Sequence, residues 1–157
     1  MPTKQRPAAG ELLRRRRRPS RPKTGESWGR YHNLQKIFER LNERYFQGQI
    51  KTASIGWSRP PRPSNKARNS IKFGSYNFAD RVICVHPALD QKFVPRFFVE
   101  YIIFHEMLHG RLAFIVAGGR RLVHTPKFLA MERTFRHFHR AQRWEARHLD
   151  RLLRYKP

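Results

Sequence analysis

The stretch FHEMLHGRLAF, residues 104–114, sets two histidines four apart with a glutamate directly after the first. On a helix, positions i and i+4 lie one turn apart on the same face, so His105 and His109 can aim their imidazoles at one ion. Zinc suits such a pair, because imidazole nitrogen ligates it well and a tetrahedral shell tolerates this bite. Glu106 sits close enough to reach a metal-bound water without ligating the metal. Zinc lowers the pKa of that water to roughly 7, and a carboxylate can take its proton as the oxygen attacks a peptide carbonyl. The chemistry is metal-assisted amide hydrolysis, with Glu106 as general base.

A catalytic zinc needs a third protein ligand and leaves the fourth position to water. The extended motif with a further histidine six residues on does not apply, since position 115 is Ile. Two candidates remain. His124 follows a Gly-Gly turn and immediately precedes Thr125-Pro126, so a short loop pinned between two helices would hold it in place. Glu132, from the following helix, is the reserve ligand.

The elements that must position these residues are legible as periodicities. WGRYHNLQKIFERLNERYF, from Trp28 on, repeats apolar residues at helical spacing, and Gly48 stops it. IKTASIGW, SIKFGSY and RVICVHP are short, β-branched or alternating, and separated by turn chemistry. They predict a small antiparallel or mixed sheet of three to four strands. Pro95 opens a long helix, predicted to run through the His-Glu pair as far as Gly118-Gly119. Its apolar residues go nearly all round, which marks a buried central helix. Thr125-Pro126 caps a helix through Phe128, Leu129, Met131 and Phe135, and AQRWEARHLDRLLR forms a last amphipathic one. The fold class is α+β.

Composition bounds the setting. The chain has 157 residues, 34 Lys plus Arg against 11 Asp plus Glu, and a net charge of +23. A field of that size favours polyanionic partners, nucleic acid first. Residues 1–27 carry +7 of it, are rich in Pro and Arg, and show no apolar period. They read as a disordered basic tail whose Arg14–Arg18 run can hold phosphates by charge; residues 28–157 form the domain. One cysteine, Cys84, excludes an intramolecular disulfide and a Cys-based zinc ribbon. No apolar run reaches the length of a membrane span, and no apolar segment follows the basic N-terminus, so a cytoplasmic protein is expected.

With these residues in hand, the chain resembles the SprT-like metalloprotease domain, the group that includes Spartan, a DNA–protein crosslink protease. The resemblance covers roughly residues 34–140. It rests on LNERYFQGQI with SIGWSR after it, SIKFG, VICVHPAL, FVEYIIFHEMLHG and HTPKF. It implies a minimal zincin core with zinc on His105, His109 and His124, and Glu106 as catalytic residue. It also implies protein substrates associated with DNA or another nucleic acid. The family commonly has Gly after the third histidine; here Thr125 stands there, which suits a helix cap, and Phe128 matches the motif's phenylalanine.

Other residues carry weaker expectations. Tyr76, Tyr101 and several arginines are available to stabilise an oxyanion. Trp57 belongs to the core or cleft wall, His86 and Cys84 to the structure, and His137 and His139 to a solvated helix face. The competing function is a basic nucleic-acid- or ribosome-binding protein that keeps a structural metal. An intact Glu106 argues against it, because a structural site has no use for that carboxylate.

Overall fold

The computed structural model describes residues 25–52, 54–59, 70–112 and 115–156. Most of the expected basic tail, Arg14–Arg18 included, lies outside them. The order of elements is α1 (Leu34–Phe46), β1 (Ser54–Trp57), β2 (Gly74–Asn77), β3 (Val82–Val85), α2 (Arg96–Arg111), β4 (Ile115–Ala117), β5 (Arg120–Leu122), α3 (Pro126–Glu132) and α4 (Phe138–Leu153). The fold is α+β, with a three-stranded sheet ordered β1-β3-β2 and a separate β4-β5 hairpin. The sheet is mixed: β1 runs parallel to β3 with Trp57 opposite Val85, and β2 runs antiparallel with Gly74 opposite Val85.

The core forms around α2. Phe98, Val99, Ile103, Met107 and Leu108 are wholly buried, because α2 is packed between α1, the sheet, α3 and α4. Aromatic rings fill the joints. The Phe104 ring lies 4.9 Å from Tyr45 and 5.3 Å from Phe135, while Phe98 lies 4.6 Å from Trp144. Burying each such ring removes apolar area worth roughly 2–3 kcal/mol from water.

Local chemistry explains the boundaries. The side chain of Asn33 accepts from the Lys36 N–H and so starts α1. The helix therefore begins six residues later than the apolar period from Trp28 predicts; Trp28 instead bridges to Asn33. At the other end, the Asn42 amide receives the Ile50 N–H at 3.0 Å and donates to its carbonyl at 2.9 Å. That pair turns the chain towards the sheet. The central helix also ends early, at Arg111 rather than at the Gly118-Gly119 pair. The two glycines have φ of 55° and 75°, the left-handed values of a tight hairpin turn, and β-branched Ile115 and Val116 enter the first strand. A helical pattern and a hairpin look alike over so few residues. Similarly α3 stops at Glu132, so Phe135 lies in the turn before α4. No helix among the described residues is long and apolar enough to cross a membrane.

One carboxylate ties the N-terminal segment down. Asp90 accepts from the backbone N–H groups of Arg30, Tyr31 and His32, and a Cβ on Gly29 would collide with it. Hydrogen bonds to a charged group contribute about 1.5–3 kcal/mol, so Asp90→Ala is expected to lower stability by that amount. The check is a urea titration, in which the midpoint falls while the slope stays constant. An unmoved midpoint would mean that water replaces the carboxylate at no cost. Gly25 and Glu26, just before this segment, bond to the backbone of Trp57 and so extend along the outer edge of β1.

Candidate metal centre

His105 and His109 lie one turn apart on α2, and His124 arrives from the loop between β5 and α3. The three Nε2 atoms form an equilateral triangle with sides of 3.2 Å. Hydrogen bonding cannot satisfy that arrangement. Each Nε2 offers a single in-plane direction, occupied either by a proton or by a lone pair, yet each nitrogen here faces two others. One cation accepting three lone pairs satisfies all of them. Zinc–nitrogen bonds of about 2.0–2.1 Å at tetrahedral angles would set the nitrogens about 3.3 Å apart, so the donor set fits such an ion. The Phe128 ring packs against all three imidazoles at centroid distances of 4.7–5.0 Å. Its own helix is started by Thr125, whose hydroxyl accepts from the Phe128 N–H at 3.2 Å.

The protonation states suit metal binding. Burial, and then the facing imidazoles of His105 and His124 with Lys72, push His109 down to about 4. Burial and His105 likewise lower His124. Neutral imidazoles keep their lone pairs available.

Glu132 stands behind the cluster rather than in it. Its Oε1 lies 2.6 Å from Nδ1 of His105 and receives the Tyr101 hydroxyl at 2.9 Å. The carboxylate thus holds the proton on Nδ1 and leaves Nε2 free, the arrangement by which outer carboxylates orient metal-binding histidines. The reserve ligand is therefore corrected to an orienting residue. Burial alone would raise the Glu132 carboxyl, but the hydrogen bonds from His105 and Tyr101 hold it below the usual range. Burial and this neighbour push the Tyr101 phenol far upwards, so it remains a donor. A signal for this existed: Tyr101 precedes His105 by four residues, on the same helix face. The partner on α3 could not be read, since its approach depends on how two helices pack. Glu132→Gln is expected to weaken zinc binding about 10–100-fold, measured by competition with a chromophoric chelator. Complete loss of zinc would instead indicate direct ligation.

Glu106 points into the same cleft, a cavity of about 420 Å³ bordered by the three histidines, Lys72, Tyr76 and Glu145 among others. It is 5% exposed, and burial pushes its carboxyl up to about 7 against the opposing pull of His105 and Lys72. Strand β2 passes directly over it: a Cβ on Gly74 would come within 2.7 Å of Glu106 Oε1. Only a residue without a side chain admits that approach. Gly110 lets the Tyr76 ring pack closely on α2, 3.1 Å from where a Cβ would stand. Of the two tyrosines considered for an oxyanion, Tyr101 is committed to Glu132, and Tyr76 borders the cleft. Among the described residues no arginine lines it. Trp57 is buried in the core, as expected, and His86 caps the short turn Pro87–Leu89 through its Nδ1.

A family model described as the SprT-like family matches residues 34–148. The chain belongs to the SprT-like family. That span runs from the first residue of α1 to the fourth turn of α4 and includes both α2 histidines, Glu106 and His124. No curated protein and no solved structure matches the chain significantly. Family membership supports a protease-like domain, and the three histidines lie close enough together to hold a metal.

Proposed function

We propose that this protein is a zinc-dependent endopeptidase that cleaves proteins associated with nucleic acid. The observation that carries the reading is the triangle of three imidazoles beside a buried glutamate in one open cleft. A zinc ion held by His105, His109 and His124 supplies Lewis acidity toward a peptide carbonyl and toward water. Glu106 takes the proton of the attacking water and returns it to the departing amine, as a general base and then a general acid. Tyr76 and Lys72 are the cleft-lining donors for charge that develops on the carbonyl oxygen. Gly74 and its neighbours in β2 form an edge of the sheet beside Glu106, so an extended peptide can pair with that edge and pass its carbonyl across the histidines. The charge of +23 supports nucleic-acid association, since it attracts phosphate backbones.

The test is cleavage of a basic, DNA-binding protein by the zinc-loaded chain, with and without single-stranded DNA. Zinc-dependent cleavage that rises with DNA is the expected result. Zinc-dependent cleavage indifferent to DNA would retain the peptidase and remove the nucleic acid. Nucleic-acid binding without cleavage would leave a metal-stapled binding module.

A further inference from the structure

The geometry points to the outer face of α4 as a docking surface for a nucleic-acid phosphate backbone. Arg140, Arg143, Arg147, Arg151 and Arg154 are all exposed. At 100° per residue they project within roughly 80° of the helix circumference, over about 21 Å of its length. Asp150 flanks this row, yet no ion pair involves any of the five arginines among the described residues. Four successive like-charge pairs at i,i+3 and i,i+4 each oppose the helix by about 0.2–0.5 kcal/mol. A polyanion laid along this face removes the repulsion.

Two of the guanidinium groups already rest over aromatic rings. Arg140 lies 4.2 Å from the Phe97 ring centroid and Arg151 lies 3.7 Å from that of Phe93. Less side-chain freedom is then lost when they grip phosphate. Between them, a groove of about 470 Å³ is lined by Pro95, Phe97, Arg140, Arg143, Trp144 and Arg147. Half-buried Trp144, stacked on His148 at 4.4 Å, walls this groove beside the charges. A membrane surface fits less well. The apolar side of α4, with Phe138, Ala141 and Leu152, is buried in the core, which leaves little apolar surface on the helix to insert into lipid.

The position of the helix gives the surface its purpose. Glu145, on the opposite side of α4 from the arginine row, borders the histidine cleft. A strand held on the outer face therefore runs about one helix diameter, 10–12 Å, from the cleft, and a protein bound to that strand is presented to it. This purpose rests on the protease reading above, but the docking itself does not.

The test uses the full chain carrying Arg143→Gln, Arg147→Gln and Arg154→Gln, which spares the two stacked arginines. The comparison is Lys36→Gln, Arg40→Gln and Arg44→Gln on α1, which removes the same charge elsewhere. Fluorescence anisotropy with a labelled single-stranded oligonucleotide is followed against salt, and circular dichroism melting verifies both folds. The α4 triple is expected to lose at least tenfold in affinity, with a salt slope shallower by about 2, the value for three lost contacts on a single strand. The α1 triple should change little. Photocrosslinking of an iodouracil-substituted strand to the wild-type chain should map to the Trp144 peptide. Equal losses in both triples, or none in the α4 triple, would overturn the proposal. So would loss of binding to phosphatidylserine vesicles in the α4 triple with oligonucleotide affinity intact. Binding is read without any catalysis, so a chain that cleaves nothing but passes these tests would sink the protease reading alone.

Discussion

Glu106→Gln is expected to reduce peptide cleavage by about 10²–10⁴-fold, the usual contribution of a positioned general base, while one zinc ion per chain is still bound. Glutamine keeps the shape of the side chain in a site where Gly74 leaves no spare room. What it loses is the ability to accept a proton. Because Glu106 is 5% exposed, the substitution also takes a carboxylate out of a poorly solvated position. The melting temperature of the metal-free protein is therefore expected to hold or rise. Single-turnover cleavage, zinc content and thermal melting together separate the alternatives. Retained cleavage would remove Glu106 from the chemistry. Lost cleavage accompanied by lost zinc would make it a ligand.

The second large effect falls on His124. Structural zinc sites bind with about 10–16 kcal/mol shared over four ligands, so His124→Ala is expected to weaken zinc binding about 10²–10³-fold. The fold should hardly change. His124 is exposed and lies outside any helix, and neighbouring Thr125 retains its cap on α3. Chelator competition gives the affinity, and circular dichroism reports the fold. Undiminished zinc binding would transfer the third position to another side chain of the cleft, with Glu145 the first to examine.

Much of this site could be read before any folding was considered. The four-residue spacing of His105 and His109 determines that they share a face, because a helix returns to the same side at each turn. Thr125-Pro126 determines where α3 begins, by capping chemistry that needs only local sequence. Family resemblance placed His124 with the other two histidines, and the 3.2 Å triangle agrees. The extent of α2 was not legible. Val116 and Ala117 continue a helical apolar pattern as readily as they pair in a strand, and it is the positive φ of Gly118 and Gly119 that decides for the hairpin.

The sequence by itself determined the constellation: two imidazoles and a carboxylate on one helix face, in a chain whose charge favours polyanions. Only tertiary structure decided what surrounds them. Glu132 meets His105 across 27 residues, and β2 crosses Glu106 at Gly74 across 32. Both approaches follow from how α3 and the sheet pack on α2, which no local pattern encodes. The arginine row of α4 divides the same way. Its charges follow from helical periodicity, but their nearness to the cleft depends on the burial of Phe138, Ala141 and Leu152, which turns Glu145 inward and the arginines out.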